Sequence, residues 1–320
     1  MAAPAFDEAK PVEVRGLVKR YGRLIAVDGV DLTVERGDVY GFLGPNGAGK
    51  TTTLRMLLGL IRRDGGSIRL FGRDPADPLH ALAGVAGFIE EPRLYPYLSG
   101  RANLQLLAAL DRGRAGRAQV DEVLELVELR ERAGDRVSQY SQGMRQRLGL
   151  ASCLIRRPSL LLLDEPANGV DPGGIRFLRA LLRRLSDEGM TILLSSHLLA
   201  EVQEVCNRVA VINNGRVVKE GALADLVAAG GHAYRLQATN LPSAADALRP
   251  LEGVQELRRE DDELVFTLGS GDDTVEVTRA LAAAGVGISA LVREQATLED
   301  LFFRLTGAAA PAGDREAVAA

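Results

Sequence analysis

The chain has 320 residues, of which 46% are hydrophobic and 26% are charged. This composition excludes a largely disordered or fibrous protein and leaves room for one large domain and a small one. The 39 basic and 43 acidic residues give a net charge of −4, which disfavours a protein that binds nucleic acid along its surface. Because there is no run of about 18 apolar residues and no signal-peptide pattern, we expect a cytoplasmic protein that does not span a membrane by itself.

The N-terminal part alternates β-rich runs with helical periodicity, which is typical of an α/β domain. Strand signals disappear between about 98 and 157, where the periodicity predicts an all-helical subdomain. They return as apolar runs of the kind that is buried on both faces of a sheet, and Asn214-Gly215 predicts a hairpin turn after the last of these runs. In chain order we predict strands at 12–18, 25–34 and 38–44, a helix at 50–61, and strands at 67–72, 85–90, 160–165, 191–196, 208–213 and 216–221.

A second pattern follows the pair Gly230-Gly231, which we predict to be a hinge. Its order of strand, helix, two strands, helix and strand predicts a small ferredoxin-like α+β unit. A final helix is predicted to include 297–302. The tail at 309–320 has no periodicity and is expected to be disordered.

Residues 44–51 read GPNGAGKT and match G-x-x-x-x-G-K-[ST], directly after an apolar strand and directly before a helical pattern. Glycines let backbone N–H groups turn toward phosphate oxygens, Lys50 can reach the terminal phosphates, and the Thr51 hydroxyl can hold Mg²⁺. The alternative, a chance glycine-rich turn, is disfavoured by the spacing and the flanks. The predicted phosphate loop comprises Gly44, Pro45, Asn46, Gly47, Ala48, Gly49, Lys50, Thr51 and Thr52.

Two carboxylates follow the apolar run of leucines at 160–163. A buried strand would deliver Asp164 and Glu165 to the carboxyl edge of the sheet, where open α/β sheets bind their ligands. Asp164 suits Mg²⁺ coordination, and Glu165 suits polarising a water for attack on a γ-phosphate. The alternative is that both acids only cap a following helix, and the phosphate loop upstream disfavours it.

With these motifs the chain resembles the ATP-binding cassette (ABC) family, the nucleotide-hydrolysing subunits of ABC transporters, over about 12–230. The run YSQGM at 140–144 resembles the signature LSGGQ, with only Ser141 and Gly143 in place. The departures resemble those of the drug-exporter branch, which confers daunorubicin or bacitracin resistance. The resemblance implies that two copies meet head to tail, with each ATP between the phosphate loop of one and Ser141/Gly143 of the other. Taken alone, Ser141 is more simply the N-cap of an amphipathic helix.

The resemblance extends to four further positions. His197 stands where the family keeps a histidine that contacts the γ-phosphate and the catalytic glutamate. Asp171 is similar to a loop residue that touches the partner subunit, or is a turn aspartate before a helix-starting proline. Tyr21 stands where an aromatic ring stacks on adenine, or is an edge-strand tyrosine. Glu90 replaces the usual glutamine in the loop that meets the permease, and its carboxylate would bind Mg²⁺ more strongly but add negative charge beside the phosphate.

What the resemblance implies is an ATPase with ATP and Mg²⁺ as cofactors. Glu165, His197 and Lys50 would be catalytic, and Thr51, Asp164 and Glu90 would surround the metal. A nucleotide-sandwich homodimer on the inner face of the cell membrane would power export of a drug-like or lipid-like compound through a separate integral membrane permease.

Two other functions are weighed against this one. A soluble ABC-type ATPase that acts on nucleic acid would need a long coiled-coil insert or a second cassette. A nucleotide-dependent binding or regulatory module with little turnover is disfavoured by Glu165 and His197, whereas Glu90 leaves it open. The acidic unit at 232–308 resembles the small domain appended to many bacterial drug-export ATPases, and we expect it to have an interface or regulatory role.

Overall fold

The computed structural model describes residues 10–110, 116–229, 232–269, 274–295 and 302. The chain divides into two compact units between Gly221 and Ala222. The predicted hinge at Gly230-Gly231, the tail at 309–320 and the helix at 297–302, apart from Phe302, lie outside the described residues. The domain limits at 12–230 and 232–308 therefore stay a prediction.

The first unit consists of strands and helices in an alternating order, with a helical insert before the sixth strand. A single 3₁₀ turn at Val137–Gln139 precedes the last helix of that insert. In chain order the elements are β1 (Val12–Tyr21), β2 (Leu24–Val34), β3 (Val39–Leu43), α1 (Lys50–Leu57), β4 (Gly65–Leu70), α2 (Pro78–Ala81), β5 (Val85–Phe88), α3 (Gly100–Leu110), α4 (Arg117–Leu126), α5 (Gln142–Leu154), β6 (Leu160–Asp164), α6 (Pro172–Asp187), β7 (Thr191–Ser196), α7 (Leu199–Val205), β8 (Arg208–Asn213) and β9 (Arg216–Ala222).

A six-stranded sheet in the order β5-β6-β7-β3-β8-β9 forms the centre of this unit. The five strands from β5 to β8 pair in parallel, so their carboxyl ends meet at one edge. All residues of β3, β6 and β7 are buried, as their apolar runs predict for strands covered on both faces. At the end of β8, Asn214 and Gly215 have φ angles of 48° and 78°, which fits the predicted hairpin turn.

The strands β2-β1-β4 form a separate antiparallel sheet, which the sequence did not distinguish from the central one. Its buried residues share a core with α1 and β3. β1 lies between β2 and β4, but Tyr21 pairs only with Leu24 of β2, beyond the part of β1 that pairs with β4, so both interpretations of Tyr21 stay predictions.

The helix predicted at 50–61 ends earlier, at Leu57. Gly59 has a φ of 66°, and a Cβ at this position would lie 2.9 Å from the carbonyl oxygen of Pro75. A glycine in the left-handed conformation just past the last turn is a common helix stop.

The helical insert agrees with the prediction in the part of 98–157 that the structure describes, which contains α3, α4, the 3₁₀ turn and α5. No helix among the described residues is long and apolar enough to cross a membrane.

The second unit begins with α8 (Leu223–Ala229) and continues as a four-stranded antiparallel sheet with two helices. The elements are β10 (His232–Ala238), α9 (Leu241–Leu248), β11 (Val254–Glu260), β12 (Glu263–Leu268), α10 (Thr274–Ala283) and β13 (Ile288–Gln295). The sheet order β11-β12-β10-β13 and the antiparallel pairs are those of a ferredoxin-like βαββαβ unit. Its core includes Leu236, Leu281 and the stacked rings of Tyr234 and Phe266, whose centroids are 5.7 Å apart.

Candidate functional site

The predicted phosphate loop connects β3 to α1 at the carboxyl edge of the central sheet. Gly49 is the N-cap residue of α1 with a φ of 108°, and no side chain caps this end of the helix. A Cβ on Gly49 would lie 2.5 Å from the carbonyl oxygen of Ala26, so only glycine fits there. The first amides of α1 have no acceptor within the helix, and together with the helix dipole they form an anion-binding end.

Lys50 is held at the base of this loop. Its side chain is only 5% exposed. Its Nζ donates to the carbonyl oxygen of Gly44 over 2.6 Å and lies 3.1 Å from Oε1 of Glu165. Because a buried ammonium group needs a hydrogen-bonded counter-charge, the carboxylate of Glu165 provides the counter-charge of Lys50. Thr51 and Thr52 follow in the first turn of α1 and are half-buried.

Asp164 is fully buried at the end of β6. Its Oδ1 accepts a hydrogen bond of 2.6 Å from the Ser195 hydroxyl, whereas its Oδ2 has no hydrogen-bond partner. A buried carboxylate oxygen without a partner is costly, and a cation bound there would remove that cost. The donor set, a carboxylate together with the hydroxyl of Thr51, is one that Mg²⁺ accepts. The residues present therefore fit a magnesium ion.

Glu165 lies at the point where the chain turns after β6. Its φ of 48° is in the left-handed region, a strained conformation that is concentrated at functional sites. One carboxylate oxygen faces Lys50, and the other lies 2.7 Å from Nδ1 of His197 and accepts from the backbone N–H of His197 over 3.3 Å. The structure thus brings together the three residues that were predicted to be catalytic.

Two residues near these carboxylates were missed by the sequence analysis. The Ser195 hydroxyl donates to Asp164 and accepts from the backbone N–H of Glu165 over 3.0 Å. Glu201 of α7 has its pKa raised by burial, while the charges of Arg179 and His197 act in the opposite direction. The signal for Ser195 was a polar residue at the carboxyl end of an apolar strand, as at Asp164.

Glu90 follows β5 and has a positive φ of 60°. Its side chain is mostly exposed, and it forms an ion pair of 2.8 Å with Arg55 of α1. This pair connects the loop after β5 to the helix that begins with the phosphate loop. The role of Glu90 at a metal ion stays a prediction.

Ser141 and Asp171 are the N-caps of α5 and α6. The Ser141 hydroxyl accepts from the backbone N–H of Met144, and the Asp171 carboxylate accepts from the N–H of Gly174, each over 3.2 Å. Both capping interpretations are therefore confirmed. A Cβ on Gly143 would lie 3.7 Å from the Asp171 carboxylate, so the two helix N-termini are adjacent and present their amides together.

Gln146 connects α5 to the segment that follows β6, since its side-chain amide donates to the carbonyl oxygen of Pro166 over 2.8 Å. Tyr21 ends β1 with 47% of its surface exposed, and the Nζ of Lys19 lies 5.4 Å from the centre of its ring. The ring is accessible for stacking.

Comparison with known proteins gives matches over both units. Residues 27–168 match the family described as "ABC transporter", and residues 227–306 match "ATP-binding protein DrrA1-3-like, C-terminal domain". The chain is similar to the bacitracin transport ATP-binding protein BcrA of Enterococcus faecalis, at 36% identity over 92% of this chain and 96% of BcrA. It is similar to the daunorubicin resistance ATP-binding protein DrrA3 of Streptomyces coeruleorubidus, at 39% identity over 92% of this chain and 96% of DrrA3. A solved structure of an ATP-binding subunit of an ABC transporter matches with a TM-score of 0.61 and 30% identity, over 67% of this chain and 91% of that one.

Proposed function

Because the chain belongs to the family of ABC transporter ATP-binding proteins, which are ATPases, we propose that two copies hydrolyse ATP in a head-to-tail dimer and so drive a separate membrane permease. The observation that carries this proposal is the contact of Glu165 with both Lys50 and His197 beside the uncapped N-terminus of α1. These are the groups that phosphoryl transfer to water requires: an anion cradle, a cation at the terminal phosphate and a carboxylate base.

Nucleotide binding would begin with a change in the ion-pair partner of Lys50. The triphosphate lies along the amides that precede α1, and Lys50 turns from Glu165 to the β- and γ-phosphates. This exchange frees one carboxylate oxygen of Glu165, which accepts a proton from the attacking water. His197 keeps the other oxygen in place through the 2.7 Å contact.

Thr51 and Asp164 would hold Mg²⁺, with Glu90 near the same loop. The ion, when bound, neutralises the charge that develops on the transferred phosphoryl group. The orphaned Oδ2 of Asp164 supports this assignment, and Ser195 fixes the orientation of the carboxylate.

The adjacent N-termini of α5 and α6 support the dimer. They gather Ser141, Gly143 and Asp171 at one place, where exposed helix amides can receive the γ-phosphate of an ATP held by the partner copy. Tyr21 would stack on the adenine ring.

The names of two relatives support the direction and class of transport, since one is named for bacitracin transport and the other for daunorubicin resistance. We propose export of a drug-like or lipid-like compound, with the subunit peripheral on the inner face of the cell membrane. The ferredoxin-like unit would have an interface or regulatory role.

ATP hydrolysis by the purified chain, measured against protein concentration, tests the proposal. A dimeric site predicts a rate that rises faster than linearly with concentration and that is abolished in Lys50→Ala and Glu165→Gln. A specific rate that does not depend on concentration, with unchanged rates in both variants, would refute it. If turnover appears only with a co-expressed permease, the proposed site stands and the permease is needed to assemble the dimer.

A further inference from the structure

The loop at 166–170, which precedes α6, is hydrogen-bonded at two points to the start of α5. The side-chain amide of Gln146, which is buried, donates to the carbonyl oxygen of Pro166 over 2.8 Å. The side-chain amide of Gln142 donates to the carbonyl oxygen of Asn168 over 3.3 Å. The two glutamines are four residues apart, so they lie on the same face of the helix. This face of α5 therefore holds the loop through two side-chain amides.

Gly169 is the loop residue that Gln142 covers. Its φ is 69°, and a Cβ at this position would lie 2.2 Å from Nε2 of Gln142. The signature form LSGGQ has a glycine where this chain has Gln142, and a glycine has no side chain that could reach the loop. The contact between Gln142 and the loop is therefore a feature of this chain that the signature form itself does not provide.

The loop connects two residues of the proposed mechanism. Near its start, the backbone N–H of Asn168 donates to the carbonyl oxygen of Glu165 over 3.0 Å. At its end, Asp171 caps α6, and a Cβ on Gly143 would lie 3.7 Å from the Asp171 carboxylate and 3.9 Å from the side chain of Val170. The position of the loop therefore determines where Asp171 lies relative to Gly143.

The bodies of α5 and α6 are held together by a different contact. The guanidinium of Arg147 lies over the ring of Phe177, with its carbon 3.8 Å from the centroid, and it also forms an ion pair of 2.8 Å with Glu128. Because this contact does not involve the loop, we expect the loss of a glutamine amide to loosen the loop without separating the two helices.

We propose that Gln142 and Gln146 are positioning residues for the ATP of the partner copy. They hold the loop at 166–170 so that the N-termini of α5 and α6 stay adjacent before the γ-phosphate arrives. If either bond is lost, the loop must be ordered when the dimer forms, which lowers the affinity between the two copies. The proposal rests on the proposed function, because it requires the head-to-tail dimer.

The test uses the full chain with Gln142→Met and, separately, Gln146→Met, since methionine keeps the length of the side chain and removes the donor. The dimer dissociation constant is measured by analytical ultracentrifugation with a non-hydrolysable ATP analogue and Mg²⁺. It should rise by at least about fivefold in each variant, because a symmetric dimer loses the bond twice. The affinity of the single chain for a fluorescent ATP analogue, measured far below the dimer dissociation constant, should stay within about twofold.

Gln119→Met is the matched control. The side-chain amide of Gln119, in α4, donates to the carbonyl oxygen of Ile155 over 2.6 Å, so the variant also loses a bond between a glutamine and the backbone in the helical insert. Ile155 is the C-cap of α5, at the opposite end from the loop. This variant should lose stability but keep the native dimer dissociation constant. An equal rise in all three variants, or no rise in the two loop variants, would overturn the proposal.

Hydrogen exchange of the nucleotide-free chain tests the loop without the dimer. The backbone N–H groups of Asn168 and Val170 are both hydrogen-bonded within the segment, so their exchange reports how often the loop opens. Exchange should be at least about fivefold faster in Gln142→Met and Gln146→Met and native in Gln119→Met. Unchanged exchange in the two loop variants would overturn the positioning role. A native chain that forms no dimer with ATP would refute the proposed function instead, and the exchange rates would still decide whether the glutamines hold the loop.

Discussion

The contact between Lys50 and Glu165 predicts that the carboxylate proposed as the catalytic base opposes the binding of ATP. The two side chains are 5% and 17% exposed and 3.1 Å apart, so ATP must displace Glu165 from a largely desolvated ammonium group. A hydrogen bond to a charged group contributes about 1.5–3 kcal/mol. Glutamine can still accept from Lys50, so we take the lower end of that range. We therefore expect Glu165→Gln to bind ATP about tenfold more tightly than the native chain, at 1.4 kcal/mol per factor of ten.

The affinity is measured by calorimetry in the absence of Mg²⁺, where turnover does not interfere. With Mg²⁺ present, the same variant should lose about 100-fold or more in turnover, because general-base catalysis contributes that much. The free energy of unfolding without nucleotide should fall by about 1–2 kcal/mol, since Lys50 keeps its bond to Gly44 but loses a full counter-charge.

Glu201→Gln is the control for a general effect of negative charge. Glu201 is near enough to interact electrostatically with Glu165 and His197, but its substitution leaves the Lys50 contact intact. It should change ATP affinity by less than about threefold, as expected for a longer-range interaction at high effective dielectric. If Glu165→Gln binds ATP no more tightly than the native chain, or if the affinity for ATP rises equally in both variants, the ion pair does not compete with the nucleotide.

Three further predictions concern Ser195, Arg55 and Cys153. Ser195→Ala removes the hydrogen-bond donor to the fully buried carboxylate of Asp164. It should lower the free energy of unfolding, measured by urea denaturation, by about 1–3 kcal/mol. If Asp164 binds Mg²⁺, added Mg²⁺ should restore part of this stability. Arg55→Gln breaks an exposed ion pair, so stability should change by less than about 1 kcal/mol, whereas the Mg²⁺ concentration for half-maximal ATPase should fall if Glu90 reaches the metal. An unchanged Mg²⁺ dependence would remove Glu90 from the metal site. Burial raises the pKa of the Cys153 thiol to about 12. A thiol reagent at pH 8 should therefore modify Cys153 only as fast as the chain unfolds. Modification that is faster than unfolding would show that the thiol is not buried.

The features that the sequence predicted well are those with local signals. The phosphate loop has fixed spacing between a strand and a helix, and the leucines at 160–163 form an apolar run that is typical of a strand covered on both faces. The end of α1 also had a local signal, Gly59, but the apolar residues after it extended the periodicity past the true stop.

The features that were missed depend on which strands are neighbours. Ser195 reaches Asp164 because β7 pairs with β6, with Ser195 directly opposite Asp164 in the register. Likewise β1, β2 and β4 have ordinary strand sequences, and only their pairing with one another makes a second sheet. Strand order is a property of long-range packing, and a single sequence does not contain it.

Capping and phosphate binding at Ser141 and Asp171 are compatible uses of the same geometry. Each side chain satisfies one amide of its helix, whereas a helix N-terminus leaves four amides without an intrahelical acceptor. The remaining amides of α5 and α6 keep their positive potential, and a cap fixes the direction in which they point. A triphosphate brought by a second copy would therefore meet two oriented helix ends, and loss of either cap should weaken dimer formation with ATP more than it weakens ATP binding to the single chain.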